Sequence, residues 1–73
     1  MMAQSDTVAI QVNGNPHTCP KAQYLPSLLL QLDLNPKLIA IEYNGEILHR
    51  QFWDETPVRE GDRLEIVTIV GGG

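Results

Sequence analysis

The residue types that could do chemistry in this 73-residue chain are few, and the most pointed of them have no side chains. The sequence ends EIVTIVGGG, three glycines directly after the apolar pair Ile69-Val70. Glycines add nothing to packing and lose more backbone freedom on ordering than any other residue. What they offer is a narrow profile. Any Cβ would thicken the tail and restrict φ and ψ, whereas three side-chain-free residues, fully extended, reach about 10 Å. A main-chain carboxyl on Gly73 can therefore be carried into the catalytic centre of another protein, with Gly71 and Gly72 threading the channel that leads there. A tail without a role is the plainer reading of glycines that follow a polar linker; here they follow a core-type strand directly.

The remaining candidates are weaker. Cys19 is the single cysteine, so no internal disulfide can form, and a reducing compartment suits it. A nucleophilic or sulfur-relaying thiol needs a depressed pKa, and Cys19 has no adjacent basic residue to supply one; a small buried hydrophobe is the commoner case. His17 and His49 are far apart, with no Cys or carboxylate at ligand spacing, so a metal has no motif behind it. Asp54, Glu55, Glu60 and Asp62 are expected as solvated loop charges.

Five Lys and Arg against nine Asp and Glu give a net charge of −4. That balance leaves no basic stripe to hold phosphates and excludes nucleic acid as an expected partner. The opening MMAQSD lacks the basic start and apolar run of a signal peptide, and about 18 consecutive apolar residues occur nowhere. A soluble cytoplasmic protein, monomeric when free, is expected. At this length there is room for one small domain and none for a deep active-site cleft.

The elements that must position the tail show in the hydrophobic period, which runs from two to helical and back. TVAIQV alternates, with Val8, Ile10 and Val12 on one face, and stops at Asn13-Gly14, a pair suited to a tight hairpin turn. A return strand over His17–Cys19 completes that hairpin. Leu25, Leu28, Leu29 and Leu32 form one stripe of a helix with Pro26 in its first turn, ended by Asn35-Pro36; Leu30 lies nearly opposite and reads as surface. LIAIEYNGEIL places Ile39, Ile41 and Tyr43 on one face of a strand before a second Asn-Gly. The stretch HRQFWDETPVREGD reads as a loop with about one helical turn, whose Phe52 and Trp53 cover the sheet edge. Gly61-Asp62 then launches RLEIVTIV, with Leu64, Ile66, Thr68 and Val70 toward the helix, and Glu65, Val67 and Ile69 away from it.

Strand, strand, helix, strand, connector, strand is an α+β order in which one helix covers one face of one sheet. The first and last strands can lie side by side and parallel at its centre, because the helix sits in the crossover between them. This predicts the β-grasp arrangement of ubiquitin, a mixed sheet of four to five strands. Residues 1–6 are expected as a flexible start, 7–70 as the domain, and 71–73 as a flexible reactive tail. Val67 and Ile69, apolar on the uncovered face beside that tail, are the candidate docking patch for a partner.

At this point the residues carry a resemblance. LLLQLDL after a hairpin, the Asn44-Gly45 turn, Arg50 followed by an aromatic, Gly61-Asp62 before an alternating strand, and the glycine end together resemble the ThiS family, sulfur carriers of thiamine (thiazole) biosynthesis. The likeness runs from about Thr7 to Gly73. It implies a co-substrate rather than an enzyme: a ThiF-like, ubiquitin-activating-type enzyme uses ATP to adenylate the terminal carboxylate. Sulfur from a donor such as a cysteine desulfurase then gives a thiocarboxylate, which a ThiG-like thiazole synthase consumes. No cofactor is bound by the carrier itself, and the reacting carboxyl falls on Gly73. Two departures stand out: Tyr24 occupies the place of the family's usual Ser or Thr helix cap, and Gly71 is a glycine beyond the minimal pair. The small-subunit sulfur carrier of molybdopterin synthase shares the fold and the Gly-Gly end, though it often has prolines before its tail. A ubiquitin-like modifier or binding module without sulfur chemistry is the third reading.

Overall fold

The computed structural model of the chain describes residues 6–69. Val70 and the glycines at 71–73 lie outside the described residues, as does all but Asp6 of the expected flexible start. In chain order the elements are β1 (Thr7–Val12), β2 (Asn15–Pro20), α1 (Leu25–Gln31), β3 (Ile39–Tyr43), β4 (Glu46–Leu48) and β5 (Arg63–Thr68). Short 3-10 turns occupy Pro36–Leu38 and Arg50–Glu55. The five strands form one sheet in the order β2-β1-β5-β3-β4, with β1 and β5 parallel and every other neighbour antiparallel. This is the expected β-grasp arrangement.

Both Asn-Gly pairs make the tight turns their chemistry favours. Asn13 and Asn44 each have φ of 53°, and Gly14 and Gly45 follow at 81° and 91°, the left-handed pair that matches hairpin twist. The return strand is longer than the three residues expected, taking in Pro16 and Pro20. Register explains why it tolerates them. Asn15 faces Val12 across the two-residue turn, so positions 16, 18 and 20 point their backbone groups away from β1, where a missing N–H breaks no ladder bond. The same two prolines blunt that sheet edge against further strand pairing.

The core lies between α1 and the sheet. Leu25, Leu28 and Leu29 from the helix meet Val8, Ile10, Ile39, Ile41, Leu64 and Ile66 from the strands, and all are buried. Tyr24 at the helix start makes no side-chain cap bond, as its side chain dictates. The connector supplies the acceptor instead: the Leu25 amide donates to Thr56 O (2.9 Å), Val58 N–H donates to Gln23 O (2.8 Å), and Pro26 has no amide to satisfy. The other end closes before Asn35-Pro36. Asp33 takes φ of 60°, with Leu34 N–H donating to Leu29 O and Asp33 N–H to Leu30 O, a Schellman closure without glycine.

Of the two connector aromatics, only Trp53 is buried; its indole N–H donates to Leu48 O (3.0 Å), tying the connector to β4. Phe52, expected to share that task, is exposed. The difference follows from the 3-10 geometry of Arg50–Glu55, in which neighbouring side chains point about 120° apart and cannot both face the core.

Candidate functional site

The strand that leads to the glycine tail is held unusually well at its start. On one side, Gln11 N–H donates to Asp62 O (2.9 Å) and Asn13 N–H to Leu64 O (2.8 Å). β1 then turns away at Gly14, and the Asn13 side chain takes over the ladder. Its Oδ1 accepts from Ile66 N–H (2.6 Å), and its Nδ2 donates to Ile66 O (3.1 Å). A primary amide carries an acceptor and a syn N–H donor side by side in one plane, so it can meet the N–H and C=O of a single residue as a neighbouring strand residue would. On the other side, Asn44 does similar work: Oδ1 accepts from Arg63 N–H (2.8 Å), and Nδ2 donates to Asp62 Oδ1 (3.2 Å).

Asp62 is the knot of this arrangement. It is 7% exposed, which departs from the solvated charge expected of it. The reason is that donors converge on its carboxylate: Arg59 N–H reaches Oδ2 (2.8 Å), the Tyr43 hydroxyl bonds the same oxygen, and Asn44 serves Oδ1. A buried carboxylate is tolerable when its lone pairs are filled in this way. The Tyr43 hydroxyl also lies 2.9 Å from Pro57 O. Burial, and after it the bond to Asp62, push the Tyr43 phenol well above its ordinary value of 10.0, so it stays a neutral donor. Glu60 is exposed as expected but also engaged, its Oε1 accepting from Ala9 N–H (2.9 Å) at the parallel seam. Asp54 and Glu55 are exposed loop charges.

Beyond Ile66 the surroundings change. Val67 is 58% exposed, and Ile69, just past β5, is also exposed; among the described residues only β3 and the residue before it pair with this stretch, through Ala40↔Val67 pairing and the Ile69 amide on Leu38 O (2.7 Å). Thr68, expected on the helix side, is exposed. The two docking candidates therefore both face solvent next to the start of the tail. Sequence reading missed their neighbours. Ile47 on β4, 69% exposed, and Ala40 on β3 lie on the same side, and with Glu42, Glu65 and Val67 they line a shallow groove of about 310 Å³. A wider groove of about 830 Å³ continues from Ile47 and Ile69 to the end of α1 and takes in Leu30. The signal for Ile47 was present in NGEIL: two residues after a type I′ turn, alternation sends Ile47 outward if Leu48 goes in.

Of the other chemistry-bearing residues, His49 and Asp54 line the wider groove, whereas Cys19 and His17 lie in β2 and line neither groove. Cys19 is buried in β2; burial pushes its thiol up, and the Asp62 charge adds to the shift, which leaves a packing residue and no nucleophile. His17 is half-buried with Nε2 unpartnered, and His49 is exposed before the 3-10 turn. Among the described residues no three His, Cys, Asp or Glu gather for a metal, and no helix is long and apolar enough to cross a membrane.

A sheet with parallel terminal strands at its centre and one helix in the crossover between them defines a ubiquitin-like β-grasp protein. Within that class the sequence profile of the ThiS family matches residues 10–73, and the chain belongs to the ThiS family. An uncharacterized protein, ycf40, of Porphyra purpurea is 42% identical over 66 residues, covering 90% of this chain and 93% of its own length. The sulfur carrier protein ThiS of Escherichia coli is 30% identical over 64 residues, covering 88% and 97%. A thiazole synthase of Magnetococcus marinus matches 88% of this chain at 33% identity, while the match takes up 20% of that longer protein. Among solved structures, the crystal structure of the thiamine biosynthesis protein ThiS from Geobacter metallireducens superposes with a TM-score of 0.79 at 33% identity, over 90% of this chain and all of that one.

Proposed function

We propose that this chain is a sulfur carrier for the thiazole of thiamine, acting as a co-substrate whose Gly73 carboxyl is the reacting group. The observation that supports this most is the family match running through residues 10–73, so that it takes in the glycine end as well as the domain. A carboxylate is a poor electrophile. Attack of its oxygen on the α-phosphorus of ATP, with loss of pyrophosphate, converts it to an acyl-adenylate; a persulfide then displaces AMP to give an acyl disulfide, and a thiol of the donor cleaves that S–S bond, ending as a disulfide with the persulfide-bearing cysteine and releasing the thiocarboxylate. ATP and the catalytic groups belong to a ThiF-like adenylating partner, and a cysteine desulfurase suits the sulfur supply. The consuming partner is a ThiG-like thiazole synthase. That a thiazole synthase of another organism contains a segment similar to this whole domain favours such a pairing.

The domain serves as a handle. Its contribution is to hold β5 at a fixed register, so that a partner docking on Val67 and Ile69 finds the tail at a set distance, with Gly71 and Gly72 in its channel. Intact mass tests the reading. After incubation with the adenylating enzyme, ATP and a sulfur source, conversion of acid to thiocarboxylate adds about 16 Da as S replaces O. A mass that stays unchanged with active partners rejects it, and a mass increase through linkage to a lysine-bearing protein points to a modifier.

A further inference from the structure

The open side of the sheet carries a second message beside its apolar residues. Glu42 on β3 and Glu65 on β5 are directly opposite each other in the antiparallel register, and Ile47 on β4 is the other cross-strand neighbour of Glu42. Directly opposed like charges destabilise a sheet. Nothing among the described residues relieves this pair: neither carboxylate makes a hydrogen bond or an ion pair, and Arg63, on the same side of β5 two residues earlier, bridges to neither. Both carboxylates line the groove whose apolar wall is Ala40, Ile47 and Val67.

Resting on the docking role proposed for Val67 and Ile69, we infer that this face receives a protein surface with an apolar centre and an arginine or lysine seated over Glu42 and Glu65. In the proposed function that surface belongs to the adenylating enzyme. Two carboxylates at cross-strand distance offer up to four acceptor oxygens to one guanidinium or ammonium group, and apolar cover around them lowers the local dielectric and strengthens the contact. Other occupants fit poorly. A lipid headgroup or nucleic acid would bring phosphates toward two carboxylates on a chain of net charge −4. A second copy docked face to face by two-fold symmetry would set the acidic pair of one against the acidic pair of the other. A cationic partner also gives the repulsion a purpose: it is present in the free carrier and relieved in the complex, which adds to the difference between the two states.

The test compares wild type, Glu42→Gln/Glu65→Gln and Val67→Ser/Ile69→Ser for affinity toward the adenylating enzyme at ionic strengths of about 0.05 and 0.5 M. The Gln pair keeps size and shape while removing charge. Its free domain is expected to melt higher by roughly 2–5 °C as the repulsion goes. Its affinity is expected to fall about 10-fold at low salt and to lose most of its salt dependence. Wild-type affinity and wild-type salt dependence in the Gln pair would overturn the cation. The Ser pair then separates the two readings: weakened binding there keeps the docking face without its cation, whereas binding equal to wild type removes both.

Discussion

The two halves of β5 differ more than their shared alternation suggests. From Arg63 to Ile66 the strand is bonded on both edges, with Leu64 and Ile66 in the core and the Asn13 and Asn44 side chains supplying bonds the neighbouring strands do not reach. From Val67 to Ile69 it has one sheet neighbour among the described residues, and its side chains are exposed. In the proposed carrier role the first half would anchor and the second present: the register of a tail is only as definite as the strand it continues, yet residues meant for a partner must stay accessible.

The sharpest break should come at the far end of the presenting half. Deleting Gly73 moves the carboxylate back by about 3.5 Å, well outside the tolerance of an aligned in-line attack, and adenylation is expected to drop roughly 100-fold or more. The melting temperature should be unchanged, since a glycine brings no side chain to a core. Single-turnover pyrophosphate release and calorimetry on the shortened chain check the two halves of that statement. Full activity would mean that the tail slides in its channel and that the anchor sets no distance.

The next effect attacks the anchor itself. Asp62→Ala strips a shared acceptor from Tyr43, Arg59 and Asn44, and is expected to cost about 2–3 kcal/mol in urea unfolding, while affinity for the adenylating enzyme at temperatures where the variant is folded falls less than 10-fold. A loss confined to binding would reverse the assignment of roles. Asn13→Ala should be milder, about 1–2 kcal/mol, because it deprives only Ile66 of its two bonds and gives up a residue tolerant of φ near 53°. Asn13→Gly retains the backbone freedom and isolates the lost side-chain bonds. If Gly restores full stability, the turn conformation and not the ladder substitution is what Asn13 contributes.

The smallest effect is a pH dependence. The phenol of Tyr43 is held above its unfolded value of 10.0, so the stability it contributes is complete below about pH 10 and is lost as pH rises through the folded-state value. With solvent screening of a half-buried group, the loss between about pH 10 and 11 should stay under roughly 1 kcal/mol. Tyr43→Phe is expected to be less stable than wild type at neutral pH but to decline less steeply in that alkaline window. The Cys19 thiol titrates in both proteins and cancels in the comparison. Parallel declines would detach Tyr43 from the anchor.

Much of this was legible in the sequence because period and turn chemistry are local. Val8, Ile10, the Leu25–Leu29 stripe, and Ile39 and Ile41 all lie in the core as their spacing predicts, and both Asn-Gly pairs turn with positive φ. What could not be read was long-range. Asn13 and Ile66 are separated by 53 residues and meet only because β1 ends one residue before β5 needs it, a matter of relative strand length that no window of sequence contains. Asp62 likewise sits in a Gly-Asp turn that looks solvated, until Tyr43 and Asn44 arrive from another strand. Phe52 and Trp53 read as equals, and a 3-10 turn chose between them. Ile47 stands in a strand of three residues, where its outward face follows only from the turn before it together with the half-burial of Leu48.

The parallel seam between β1 and β5 has a mechanical consequence. A pull applied between the beginning of β1 and the end of β5 acts along both strands in opposite senses, so the bonds from Gln11 to Asp62, from Asn13 to Leu64 and from the Asn13 amide to Ile66 resist together in shear. Tension between those two points would therefore load the whole seam at once rather than unzipping it bond by bond, so a pull on the far end of β5 would meet the fold along its stiffest direction.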